Sequence, residues 1–111
     1  MTAGIKTIIY PVKDLAGAKS LFITLLGTEP VRDEPYYVGY RVAGQDIGPD
    51  PHGHSKGMTG PLAYWHVDDI EAGLLEAGAE TVQAIQDVGG GKLTASLKDA
   101  DGNAIGLIQP A

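Results

Sequence analysis

Hydrophobic positions along the chain change rhythm in a regular order. "KTIIYPV" (6–12) alternates, setting Ile8, Tyr10 and Val12 on one side and Thr7, Ile9 and Pro11 on the other, as a half-covered strand requires. The spacing then becomes three or four: Leu15, Ala18, Phe22 and Leu25 or Leu26 fall on one face and predict a helix over about 15–26. Asp14 precedes it as an N-cap whose carboxylate accepts from a first-turn N–H, and Gly27 suits the left-handed position past its end. Alternation returns in "EPVRDE" (29–34), "YYVGYRVA" (36–43) and "QDIG" (45–48), read as three short strands. The second half repeats the order. "LAYWHV" (62–67) is a strand, a shorter helix over about 70–77 carries Ile70, Leu74 and Ala77 between Asp69 and Gly78, and three strands follow in "ETVQAIQDV" (80–88), "KLTASLKD" (92–99) and "AIGLIQ" (104–109).

The two halves also match residue by residue. Val12, Asp14 and Leu15 correspond to Val67, Asp69 and Ile70, and "GQDIGPDP" (44–51) shares Gly followed by Ile-Gly with "GNAIGLIQP" (102–110). Matches in the same order at similar offsets indicate a duplicated strand, helix, strand, strand, strand unit. "PDPHGHSKGMTGP" (49–61), dense in Pro and Gly, reads as the linker. With 111 residues the chain is one domain made of two small halves, of the α+β class.

Composition then removes several classes of function. At 43% hydrophobic and 20% charged residues the chain is globular rather than disordered. It has no apolar run of about 18 residues, and its start lacks a small-residue cleavage pattern, which points to a cytoplasmic protein. The absence of cysteine excludes disulfides, thiolate metal sites and thiol nucleophiles. A net charge of −6 argues against a nucleic-acid partner, whose phosphates reward clustered Lys and Arg.

With its two βαβββ units, its V-x-D-(L/I) helix entries and "DADGNAIGLIQ" (99–109) after a Gly-rich hairpin, the chain resembles the vicinal oxygen chelate superfamily. That superfamily includes glyoxalase I, bleomycin resistance proteins and extradiol dioxygenases. The resemblance covers about 4–110, with one unit over about 4–48, the linker over about 49–61 and the second unit over about 62–110. It implies curved mixed sheets around a concave pocket, paired in a homodimer. In metal-dependent members each unit offers one ligand from its first strand and one from its last. Those positions fall on Thr7 and Gly48 in the first unit and on Leu62 and Gly106 in the second. The usual closing motif, D-P-D-G-N-x-(I/L)-E-L-x-Q, has proline where Ala100 stands and glutamate where Gly106 stands. Two glycines and a leucine offer no side-chain ligand, and threonine is a poor one for metals that want imidazole or carboxylate. No metal and no cofactor is therefore expected, and the resemblance extends to fold rather than to Lewis-acid chemistry.

Alternation assigns the remaining faces. Ala63, Trp65 and Val67, Val38, Tyr40 and Val42, and Leu93, Ala95 and Leu97 form the expected core. The opposite, concave face carries the expected ligand-binding set: Thr7, Tyr37, Arg41, Gly48, Tyr64, His66, Thr94, Ser96 and Gly106. Tyr37 and Tyr64 either stack on a planar ligand or close a dimer interface. Arg41 either binds a carboxylate or is salt-bridged. His66, the one histidine on a predicted strand, is a weak candidate for a general base against a structural role. His52 and His54 have metal-like spacing but only Asp50 beside them. "DVGGGK" (87–92) lacks the phosphate-loop spacing and reads as a hairpin. Glycine within a last strand marks a bulge, a bend or a close approach. The function read from these residues is metal-free binding of a small molecule, as in the drug-sequestering members. The alternative is a metal-dependent lyase, isomerase or dioxygenase with ligands relocated to His66, His52 or His54. A third reading is an accessory subunit with no ligand.

Overall fold

Asp14 and Asp69 start the two helices as the sequence implies. Each is extended, and its carboxylate accepts from the N–H of Gly17 (3.0 Å) and Ala72 (3.1 Å) respectively. Gly27 and Gly78 end them in the left-handed conformation, at φ 69° and 63°. The computed structural model describes residues 2–111, in the order β1 (Thr2–Pro11), α1 (Leu15–Leu26), β2 (Arg32–Glu34), β3 (Tyr37–Val42), β4 (Gln45–Asp50), a 3-10 turn (His54–Lys56), β5 (Leu62–Val67), α2 (Ile70–Ala77), β6 (Glu80–Asp87), β7 (Leu93–Lys98) and β8 (Ala104–Gln109). Eight strands with parallel and antiparallel pairing and two α-helices make this an α+β fold. Two compact units divide the chain. One is Thr7–Leu62; the other is residues 63–111 together with residues 2–6. Among the described residues no helix is long and apolar enough to cross a membrane.

In the Thr7–Leu62 unit the strands lie in the order β2-β3-β4-β1. β4 is parallel to β1, with Ile9 opposite Gly48, and antiparallel to β3, with Tyr40 opposite Ile47. The core is Phe22, Val38 and Tyr40, ringed by Tyr10, Leu15, Ala18, Ile23, Leu26 and Ile47. Phe22 sits between Tyr10 and Tyr40 at centroid distances of 5.2 and 6.0 Å, a tilted geometry that aromatic rings favour. The fully buried Tyr40 donates its hydroxyl to Lys19 O at 3.3 Å, tying the sheet to α1.

The second unit has the same topology, β5-β8-β7-β6, with β8 parallel to β5 and antiparallel to β7. Its core is Ile70, Ala95, Leu97 and Leu107, with Val67, Leu74, Ile85 and Ile105 packed around them. Gln109, at the end of β8, accepts from Ile70 N–H at 2.9 Å and so adds a second cap to α2.

Three expectations are corrected. Trp65 is 38% exposed and absent from the core, as is Ala63; α2 is only eight residues long and packs mainly on β6, β7 and β8, so of β5 only Val67 joins the core. Val42 stays outside the core because β3 has by then run past the Phe22 cluster. The stretch 49–61 is more than a linker: β4 runs on to Asp50, whose buried carboxylate accepts from His52 N–H (2.8 Å) and Lys56 Nζ (3.0 Å) and holds the 3-10 turn.

The aromatic cluster gives the first test. Phe22→Ala removes both ring contacts and leaves a cavity under α1, so urea unfolding should show a loss of about 3 kcal/mol or more. A change below about 1 kcal/mol would mean that α1 is not held through this ring.

Candidate functional site

Strand register sorts the candidate residues into rows on the side of each sheet away from its helix. In the second unit Tyr64 lies opposite Gly106, Gly106 opposite Ser96, and Ser96 opposite Gln83. The next row is His66, Ile108, Thr94 and Gln86. Because neighbours in a row share a face, Tyr64, Ser96, His66 and Thr94 are brought together there, as alternation predicts. Ser96 is buried, and Tyr64, His66 and Thr94 are partly so. The carbonyl of His66 accepts from Thr2 Oγ1 at 2.9 Å.

Gly106 owes its identity to Tyr64. A Cβ built on it would fall 2.6 Å from Cδ2 and 2.8 Å from Cγ of that ring. These ring atoms lie next to the backbone of Tyr64, so no small rotation clears them. The backbone of Gly106 is not left-handed, and the residue serves neither a bulge nor a strained turn. It is a floor for an aromatic side chain, a cross-strand pairing that offsets the weakness of glycine in a strand.

The first unit repeats this arrangement with different strands. Tyr37, at the start of β3, lays the far end of its ring over Gly39 and Gly48: a Cβ on Gly48 would come 2.9 Å from the hydroxyl, and one on Gly39 would come 3.1 Å from Cε2. The guanidinium of Arg32 stands 5.7 Å from the ring centroid. Glycine backbone and a cation thus accompany the ring, and its hydroxyl lies over Gly48. Burial, then the charges of Asp46 and Asp50, push the Tyr37 pKa up, with Arg32 opposing them, so the hydroxyl remains a protonated donor at neutral pH. Thr7 is buried beside Asp46, and Arg41, opposite Asp46 in register, donates Nε to its Oδ1 at 2.9 Å. Arg41 is therefore held in an ion pair rather than left open for a ligand carboxylate.

The residues at the superfamily's metal positions do not fit a metal. Gly48 and Gly106 have tyrosine rings in the space a coordinating side chain needs, and Thr7 and Leu62 are buried without imidazole or carboxylate. Among the described residues no three His, Asp or Glu side chains converge, around His52, His54 and His66 or elsewhere. Two recesses on the second unit, of about 580 and 380 Å³, lie by the α2–β6 turn with Asp99–Gly102 and at the start of α2; no candidate residue lines either. Sequence reasoning missed Arg32, although it lies in "VRDEPYYVGY" (31–40), because an exposed arginine on a three-residue strand carries no periodic signal.

No known family profile and no curated protein matches the sequence. Solved structures do match. An NAD-dependent benzaldehyde dehydrogenase structure from Legionella pneumophila is 15% identical with a TM-score of 0.74, over 95% of this chain and 98% of that one. A glyoxalase/bleomycin resistance protein/dioxygenase superfamily member from Vibrio splendidus 12B01 is 18% identical with a TM-score of 0.71, over the full length of both. Methylmalonyl-CoA epimerase from Mycobacterium tuberculosis is 19% identical with a TM-score of 0.72, over 99% of this chain and 89% of that one. The last two are vicinal oxygen chelate proteins, and this chain has their fold.

The pairing of Tyr64 with Gly106 is open to a double-mutant cycle. Gly106→Ala should cost about 1–3 kcal/mol by forcing the ring aside. With Tyr64→Ala already in place the same change should cost nothing or stabilise slightly, since alanine suits a strand better than glycine. Additive losses in thermal or urea unfolding would show that Gly106 serves something other than the ring.

Proposed function

We propose that this chain is a metal-free small-molecule-binding protein, a homodimer that holds its ligand on the strand faces turned away from the helices. The observation that carries this reading is the seating of Tyr37 and Tyr64 on Gly48 and Gly106. At the positions where metal-dependent relatives supply last-strand ligands, this chain has rings on bare backbone. A Lewis-acid mechanism has no first coordination sphere to start from. Aromatic surface with a few placed polar groups is instead what small-molecule sites are made of. In the second unit those groups are the Tyr64 ring, the Ser96 and Thr94 hydroxyls and the His66 imidazole. In the first they are the Tyr37 hydroxyl and Thr7. Binding and sequestration need no more than this, and His66 then acts as a hydrogen-bonding partner rather than a base.

Elemental analysis of protein expressed in metal-supplemented medium tests the first half of the proposal: the expected content is far below one zinc, nickel, iron or manganese per chain. A thermal-shift screen of small aromatic compounds tests the second. A ligand at a hundredfold its Kd should stabilise the fold by about 2.7 kcal/mol, and Tyr64→Ala should abolish that gain. One tightly held metal per chain whose removal abolishes an activity would overturn the reading in favour of relocated ligands.

Dimerisation is supported by apolar surface left open on the chain. Leu21 and Leu25 on α1 are 61% and 69% exposed, Leu75 on α2 is 77% exposed, and Val82 lies on the edge strand β6. Surface of this kind on so small a protein favours association. Light scattering at micromolar concentration should give twice the 11.6 kDa chain mass; a monomer mass refutes it.

A further inference from the structure

On the face of the first unit that carries Tyr37, the basic side chains differ in their partners. Arg41 is held by Asp46 and Lys56 by Asp50, each within 3.0 Å. Arg32 has no carboxylate within ion-pair distance among the described residues, although Glu34 lies two residues along the same strand and on the same face. A side-chain hydrogen bond with Tyr36 occupies part of the guanidinium and holds its pKa up further. That leaves most of its five N–H donors uncommitted. Tyr37 is the group next to it, and its hydroxyl makes no hydrogen bond to any described residue although the residue is half-buried. Register puts both on one face of the β2–β3 ladder, Arg32 opposite Gly39 and Tyr37 opposite Glu34, and the Tyr37 ring reaches back over Gly39 toward Arg32.

We infer that Arg32 and the Tyr37 hydroxyl together recognise a small carboxylate, an assignment that rests on the ligand-binding reading above and gives it a ligand class. A carboxylate accepts at about four lone-pair positions; a guanidinium satisfies two in parallel and a phenol a third. The ring is fixed by Gly39 and Gly48 below and by the cation near it, so the hydroxyl is held in place before any ligand arrives. The net charge of −6 repels anions at long range, but screening over ~8 Å at physiological salt weakens that repulsion, and contact with an unpaired guanidinium decides the outcome. Glu34 opposes it directly beside Arg32, whereas Asp46 and Asp50, whose charges reach the Tyr37 hydroxyl, are each paired with a cation, Arg41 and Lys56.

Butyrate, with butyramide as its neutral counterpart, is the probe. Both are titrated into the full chain while NMR follows the Arg32 Nε–Hε and the Tyr37 ring signals. Butyrate should bind saturably in the millimolar range and butyramide at least tenfold more weakly. Arg32→Gln should weaken butyrate about tenfold or more and Tyr37→Phe several-fold, Glu34→Gln should tighten it, and Lys13→Gln, which removes the same charge elsewhere, should change it less than twofold. Thermal melts of each variant establish that it is folded; Tyr37→Phe keeps the ring on its glycine floor and so remains readable if Arg32→Gln does not fold. Equal binding of butyrate and butyramide, or butyrate affinity unmoved in both Arg32→Gln and Tyr37→Phe, overturns the assignment. If butyrate fails while uncharged aromatic compounds bind in a Tyr64-dependent way, this inference falls and the broader ligand-binding reading stands.

Discussion

Each half of this protein rests on the insertion of its last strand between its first and its third. β4 runs between β1 and β3, and β8 between β5 and β7, parallel to one neighbour and antiparallel to the other. A strand in that position is hydrogen-bonded on both edges and covered on both faces. The consequence is visible in burial: Gly48, Pro49 and Asp50 form one buried triplet, and Gly106, Leu107 and Ile108 another. The helix supplies the cover on one side, through Leu107 against α2 in the second half. On the other side, at the first residue of each triplet, the cover comes from a tyrosine of a neighbouring strand.

That arrangement separates two meanings of a glycine in a strand. Gly48 and Gly106 are sites of close approach, as their place in the sequence suggests, but the approaching group belongs to the protein itself. A ring laid on bare backbone buries aromatic area without a cavity and fixes the ring direction, so the same contact that stabilises the strand also shapes the surface offered to a ligand. It also explains why the last-strand positions where the resemblance would put metal ligands are closed here: a tyrosine ring fills the space a coordinating side chain would need.

Most of the fold was legible because its signals are local. Asp14, Gly27, Asp69 and Gly78 bracket both helices at the observed residues, and the alternation in "KLTASLK" sets Ala95 and Leu97 in the core with Ile70 of α2 as found. The errors come where a residue's environment is set by how far a distant element reaches. Trp65 has the right parity for the core, yet α2 stops after two turns and leaves it partly open. Leu25 and Leu26 are equally apolar, and only the helix phase puts Leu26 in the core and Leu25 in solvent. The candidate site was half legible for the same reason. Alternation places Tyr64, Ser96, His66 and Thr94 on one face, but no pattern in the sequence says that a ring crosses to the neighbouring strand, or that Arg41 is held in an ion pair while Arg32, among the described residues, is not.

The duplicated halves solve one problem in two ways, and the difference matters for chemistry. In the second half the ring comes from the first strand, directly opposite its glycine, so Tyr64 is aligned with Ser96 in a single row across three strands. In the first half it comes from the third strand and reaches diagonally over two glycines, which carries its hydroxyl toward the last strand and leaves the ring beside Arg32 on β2. The equivalent place on the first strand, opposite Gly48, is Ile9. The two halves thus share the topology and the glycines but take the tyrosine from different strands, so one face offers an aromatic surface bordered by neutral hydroxyls and the other a phenol beside a cation. A ligand bound on one of these faces meets a different set of donors from a ligand bound on the other. That asymmetry follows from which strand lends the ring, since the position of the backbone glycines is the same in both.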